Sequence, residues 1–203
     1  MYAIVENNQI TQYVNFPKSI VIGDVRYPAK IFQLWSKSEL NNIGIYEVIT
    51  DSTNKKDEAY YINTNEEYNF ADNQVTRSWG TATPKRLEDE DAVDKDGENI
   101  LDDDGNQVIN YGLKTEKKRI VKQQASGLLE KTDWHNHKAL DDDTYTIPDN
   151  IKTYRANVRA KSNEMETQID ACTNVDELKA LYEYTTQEDG TQTRPLAEFP
   201  KEI

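Results

Sequence analysis

The spacing of apolar residues changes once along this chain, and that change constrains the fold more than any other feature. Before about residue 86, apolar and aromatic residues come in short runs divided by turn residues. After about residue 113 they recur at steps of three, four or seven. Short β-branched and aromatic runs suit strands; the longer steps bring side chains to one side of a helix. Strands followed by helices predict an α+β protein. Four segments result: a β-rich N-terminal domain with one short helix (1–86), an acidic β-hairpin arm (87–112), a C-terminal helical hairpin domain (113–185) and a C-terminal strap (186–203).

Within the first segment, "YAIVENNQITQYVNF" predicts a hairpin turning at Asn7-Asn8, because asparagine tolerates the left-handed conformation that tight turns need. "SIVIGDVRYP" repeats the pattern at Gly23-Asp24, and Pro28 ends the strand because it cannot donate to a ladder. Ser36 and Glu39 have capping-box spacing, so "KSELNNI" is expected to be helical and to stop at Gly44. "IYEVIT", "EAYYIN", "EYNF" and "QVTRSWG" read as strands, with a turn in "ADNQ". Tyr60, Tyr61, Tyr68 and Trp79 read as core and cross-strand packing. The other reading of these aromatics is a sugar-stacking groove, which would add a weak glycan contact.

The second segment holds a tandem repeat, "VDKDGENI" followed at once by "LDDDGNQV". Asp-Gly is a hairpin signal. It also invites a calcium reading, which the spacing rejects. With Gly97 as the sixth loop position the first is Ala92 and the twelfth Asp103; with Gly105 they are Ile100 and Tyr111. Neither register supplies the required first ligand and closing glutamate. An extended, solvated hairpin arm, ordered by a neighbouring subunit, is expected instead.

In the third segment, Ile120, Val121, Ala125, Leu128 and Leu129 share one face of a first helix. A second helix should start near Pro148 and bury Ile151, Tyr154, Val158, Met165, Ile169 and Cys172. A third, "TNVDELKALYEY", is capped by Thr173 or Asn174 and buries Leu178, Leu181 and Tyr182. The strap is expected to dock by Phe199.

Charge and cysteine content narrow the function. With 24 basic and 37 acidic residues the net charge is −13, which opposes nucleic-acid backbones and anionic membranes as partners. No run approaches a membrane span, and the first residues lack a signal-peptide pattern. One cysteine forms no internal disulfide, so synthesis in a reducing cytoplasm, which the resemblance described below would make that of a bacterial host, is expected. The letters HNH at His135–His137 name a nuclease family, but there they denote residues spread over a ββα-metal unit rather than three neighbours. His-x-His on a strand would place both rings on one side, yet zinc would still need a third ligand. A metal-dependent hydrolase using His135 and His137 is the distant alternative. Cys172 sits on an apolar helix face and reads as a structural thiol. No catalytic residue, metal or cofactor is expected.

"QQASGLLEKTDWHNHKALDDDTYTIPDNIKTYRANVRAKSNEMETQI" resembles the short domain of bacteriophage tail assembly chaperone proteins, which recurs in tail and tail-fibre-associated proteins. The matching residues are Leu128, Leu129, Thr132, Asp133, Trp134, Pro148, Tyr154, Arg155 and Arg159, and the match covers about a quarter of the chain. The usual Asp-x-Pro after the tryptophan is missing. The N-terminal "PAKIFQLWSKSEL" and "EAYYINTNEEYNFADNQVT" also look like tail proteins of phages infecting marine bacteria.

The resemblance implies a non-enzymatic protein of the virion tail that acts by protein–protein interaction. The first role is a virion structural component of the tail, baseplate or fibre adaptor, within a symmetric oligomer and bound to other tail or fibre proteins. The alternative is an assembly chaperone absent from the mature particle. The motif is expected to form a partner-docking helical hairpin. Thr132 and Asp133 would bond the backbone where the first helix ends. Trp134 would fold back between the helices near Tyr154, so that its removal costs roughly 3–5 kcal/mol. Arg155 and Arg159 share a face and would pair with Asp133, Asp141 or a partner's carboxylates.

Overall fold

Asn7 and Asn8 both adopt positive φ, 53° and 62°, and turn β1 (Tyr2–Glu6) back into β2 (Gln9–Val14). Gly23, at φ 57°, does the same between β3 (Ile20–Ile22) and β4 (Val25–Tyr27), which ends just before Pro28. The computed structural model describes all 203 residues and divides them into two units, Met1–Pro84 and Lys85–Ile203. The fold is α+β.

Two helices, not one, interrupt the strands of the first unit. A single turn, α1 (Ile31–Leu34), has no side-chain cap but buries Ile31 and Phe32. It is held by packing, which explains why cap signals do not reveal it. In α2 (Lys37–Asn42) the capping box forms as the spacing predicts: Ser36 Oγ accepts from Glu39 N, and Ser36 N donates to Glu39 Oε2 at 2.7 Å. Gly44 follows at φ 82°, where a Cβ would lie 2.6 Å from the Val5 carbonyl oxygen. Only glycine fits that approach.

Next come β5 (Ile45–Thr50), β6 (Tyr61–Ile62), β7 (Glu66–Ala71), β8 (Gln74–Trp79) and β9 (Thr83–Pro84). The main sheet runs β2-β1-β5-β8-β7, antiparallel except for β5 beside β8. It curls until edge strands β2 and β7 approach, with Tyr13 and Tyr68 rings 4.7 Å apart. Both faces of β1 are buried. Ile4 joins Val14, Ile20, Ile31, Phe32, Leu40 and Ile45 on one side, and Ala3 and Val5 meet Val75 on the other. "EAYYIN" is less extended than expected. Tyr60 N and Tyr61 N both donate to the Asp57 carbonyl, so only Tyr61–Ile62 is strand.

The second unit opens with a three-way junction where a single extended arm was expected. A stem pairs β10 (Glu90–Asp91) with β11 (Ile109–Asn110). Each repeat copy then closes its own loop, with bridges Val93–Asn99 and Leu101–Gln107 and with Gly97 and Gly105 at φ 86° and 82°. Asp94 Oδ1 accepts from Asp96 N and Glu98 N; Asp102 Oδ1 repeats this with Asp104 N and Asn106 N. The three residues where the limbs meet bond in a cycle: Ala92 N to Val108 O, Ile100 N to Ala92 O and Val108 N to Ile100 O, at 2.8–2.9 Å. The segment is thus ordered by its own backbone, because each eight-residue copy carries the aspartate its turn requires.

From the stem the chain enters α3 (Leu113–Glu130). Asp89 anchors that entry, accepting from Gly112 N at 2.8 Å and from Thr115 Oγ1 at 2.9 Å. A carboxylate here also opposes the positive end of the helix dipole. After α4 (Asp133–Asp141), α5 (Asp149–Ala171) returns antiparallel to α3: Lys118 near the start of α3 pairs with Asp170 at the end of α5. Val121, Ala125, Tyr154, Val158, Met165 and Ile169 are buried as the periodicity predicts. Ile120 is exposed, because it lies a 100° step from Val121 and so misses the seam.

Asn174 caps α6 (Val175–Ala180) by accepting from Glu177 N, and Leu178 is fully buried. The tail forms a small hairpin, β12 (Thr185–Thr186) and β13 (Gln192–Thr193), then crosses α5. Gln168 fastens it, donating to Pro195 O and accepting from Ala197 N. Phe199 packs on Ala125, Tyr154 and Val158.

Candidate functional site

The corner between α3 and α5 gathers most of the residues that carry the chaperone-like motif. Leu128 and Leu129 end the apolar stripe of α3 and pack with Tyr154 of α5. Thr132 is buried, and its hydroxyl donates to the Leu129 carbonyl at 2.9 Å. Arg155 organises the corner. It is only 7% exposed, and its guanidinium donates to Leu129 O at 2.8 Å and Thr132 Oγ1 at 2.6 Å, and meets Asp133 Oδ1 at 2.7 Å. One planar fork therefore reaches the Leu129 carbonyl in the last turn of α3, the Thr132 hydroxyl and the first carboxylate of α4. Asp133 stands in the first turn of α4, where its charge also favours the helix dipole.

Trp134 does not fill this core. It is 54% exposed. The chain does not loop after Asp133 but starts α4 there, so Trp134 takes the outer side while Thr132 and His135, three apart, turn inward. Tyr154 packs against Leu128, Leu129 and Phe199 rather than against Trp134, and Phe199 occupies the place assigned to the tryptophan.

Trp134 instead belongs to a cluster of three rings. Its ring lies 3.7 Å from that of His135, nearly parallel, and the Tyr145 ring lies 6.1 Å from the histidine and 6.3 Å from the tryptophan. His135 Nδ1 and the Tyr145 hydroxyl share a 2.5 Å hydrogen bond, and Lys138 Nζ sits 4.4 Å from the Tyr145 ring centroid. The stack supports one broad face of the indole while leaving the side chain open to a partner. Leu140, on the same helix, is 80% exposed. His135, Tyr145 and Lys138 are missing from the motif-based set. His135 was legible in principle, because it follows buried Thr132 at helical spacing; Tyr145 reaches the stack through an irregular turn around Asp142 that carries no periodic signal.

The remaining candidates separate. Arg159 is exposed and donates only a long 3.5 Å bond to the Arg155 carbonyl, so it adds charge beside the corner without closing it. His135 is buried rather than solvent-facing, and His137 is exposed. Two residues apart on a helix they point to opposite sides, so they do not form a joint metal grip. No group of three or more His, Cys, Asp or Glu side chains is placed to hold a metal ion. The Cys172 thiol donates to Gln168 O at 3.4 Å, and burial raises its pKa, which disfavours the reactive thiolate. In the first unit Tyr60, Tyr61 and Trp79 are buried, with Arg77 and Lys55 over the Trp79 ring and Lys56 over Tyr61. Those ring faces are covered by neighbouring cations, while Tyr68 is half-buried and packs its ring against Tyr13. No helix is long and apolar enough to cross a membrane.

No family model matches the chain, and neither a curated protein nor a solved structure matches it.

Proposed function

We propose that this chain is a non-enzymatic component of a bacteriophage tail, built into the virion at the tail, baseplate or fibre junction, where it binds other tail proteins. The observation that carries the reading is the Arg155 fork. It ties together Leu129, Thr132 and Asp133, all from the segment that resembles the tail-associated domain. Rigid corners of this kind serve presentation: Trp134 is held on His135 and offered outward. Exposed tryptophans on rigid supports are favoured anchors at protein interfaces. The acidic surface is consistent with a protein partner rather than a nucleic acid.

The test is co-expression with the tail and fibre proteins encoded beside it. Capture of one such protein by the wild-type chain, lost in Trp134→Ala with unchanged melting, is expected. Equal capture by both forms would remove Trp134 as the docking anchor.

A further inference from the structure

The acidic junction and helix α3 carry complementary surfaces. At the junction, Val93, Ile100 and Leu101 are 50%, 40% and 57% exposed, and each belongs to or directly follows a residue of the backbone cycle of Ala92, Ile100 and Val108 that draws the limbs together. Around them every charged side chain of the two loops except Lys95 is acidic: Asp94, Asp96, Glu98, Asp102, Asp103 and Asp104. This is an apolar knob with an acidic rim. Both loops are closed by internal hydrogen bonds, so the knob is shaped in advance and little ordering entropy opposes its docking.

Helix α3 carries the opposite surface. A groove of about 680 Å³ runs along it, lined by Tyr111, Thr115, Glu116, Lys118, Arg119 and Lys122, with its apolar surface from the tyrosine ring and the alkyl stems of the longer side chains. Tyr111 is itself 62% exposed. Lys118, Arg119 and Lys122 outnumber the one carboxylate of the groove, Glu116, in a chain that is otherwise strongly acidic. They pair with Asp170, Glu116 and Glu166 in the free chain. Such surface pairs are weak, so exchanging them for a partner's carboxylates costs little.

We propose that this protein binds itself, the acidic-rimmed knob of one copy seating in the basic-rimmed α3 groove of a second copy. The two surfaces match in apolar centre and opposite rim charge, and both are present on every copy. Because they are different patches, a chain with one surface damaged still offers the other. The inference stands whether or not the protein belongs to a phage tail.

Sedimentation of the full chain tests it. Wild type is expected to self-associate with rising concentration at low salt, and the association to weaken as salt screens the rims. Leu101→Asp on the knob and the pair Arg119→Glu with Lys122→Glu on the groove should each be monomeric, and their mixture should give a dimer. A photo-crosslinking residue in place of Tyr111, in a mixture of isotope-labelled and unlabelled wild-type background, should join labelled to unlabelled chains at residues 93–108. This second readout does not depend on the charge variants folding. A wild-type chain that stays monomeric at every concentration and salt, or crosslinks confined to single chains or to other segments, would overturn the proposal.

Discussion

Arg155 decides the shape of the corner, and its chemistry explains why. Three acceptors, one from α3, one from α4 and one from the turn between them, converge on one buried guanidinium, and a lysine ammonium lacks the planar fork to meet them all. Arg155→Ala leaves Thr132 and the Leu129 carbonyl without this donor in a buried setting, and should destabilise the second unit by about 3 kcal/mol in denaturant unfolding. Arg155→Lys should recover only part of that. Trp134→Ala belongs at the other extreme. With the ring on the surface, the loss should stay below about 1 kcal/mol, against the roughly 3–5 kcal/mol that a core position would forfeit. Gly112 supplies a third residue-level test. A Cβ there would lie 2.4 Å from the Glu88 carbonyl carbon and oxygen, both backbone atoms. Gly112→Ala should therefore lower the melting temperature by separating the stem from α3. The motif residues were legible as a set, but the direction of Trp134 was not. Thr132 and Asp133 are common cap residues and read as a helix end, whereas the Thr132 hydroxyl bonds backward to Leu129 and α4 begins at once.

Elements followed the sequence where a local device dictates them. Asn7-Asn8, Asp72-Asn73 and the Ser36–Glu39 box each settle their turn or cap through nearby atoms. The acidic segment exceeded such reading because its third bonding partner, the Ala92–Ile100–Val108 cycle, joins residues eight and sixteen positions apart. Caps and loops also set the response to acid. Glu39 is held below the usual carboxylate range by Ser36, Glu177 by Thr173 and Asn174, and Asp102 chiefly by the Asn106 amide. A carboxylate whose folded pKa is depressed favours the folded state above its unfolded pKa, and the contribution disappears as pH falls through the folded value. The α2 cap, the α6 cap and the second loop should thus loosen below pH 4.5 for the glutamates and 3.8 for Asp102. Amide NMR shifts of Glu39, Glu177 and Asn106 should titrate below those values; midpoints above them would contradict the hydrogen-bonding described.

For the whole molecule, the α+β class was readable from the change of apolar spacing, since each half obeys one period. The division at Pro84 was less visible: the acidic stem belongs with the helices through Asp89, Glu88 and Lys114, contacts that no local pattern announces. Function rests at this scale on one claim, that the chain is a built-in part of a phage tail and not an enzyme or a passing chaperone. Quantitative mass spectrometry of washed, infectious particles tests that claim most directly. A built-in part should be present at a fixed ratio to the other tail proteins in every preparation; its absence from such particles, with the neighbouring tail proteins present, would rule that role out.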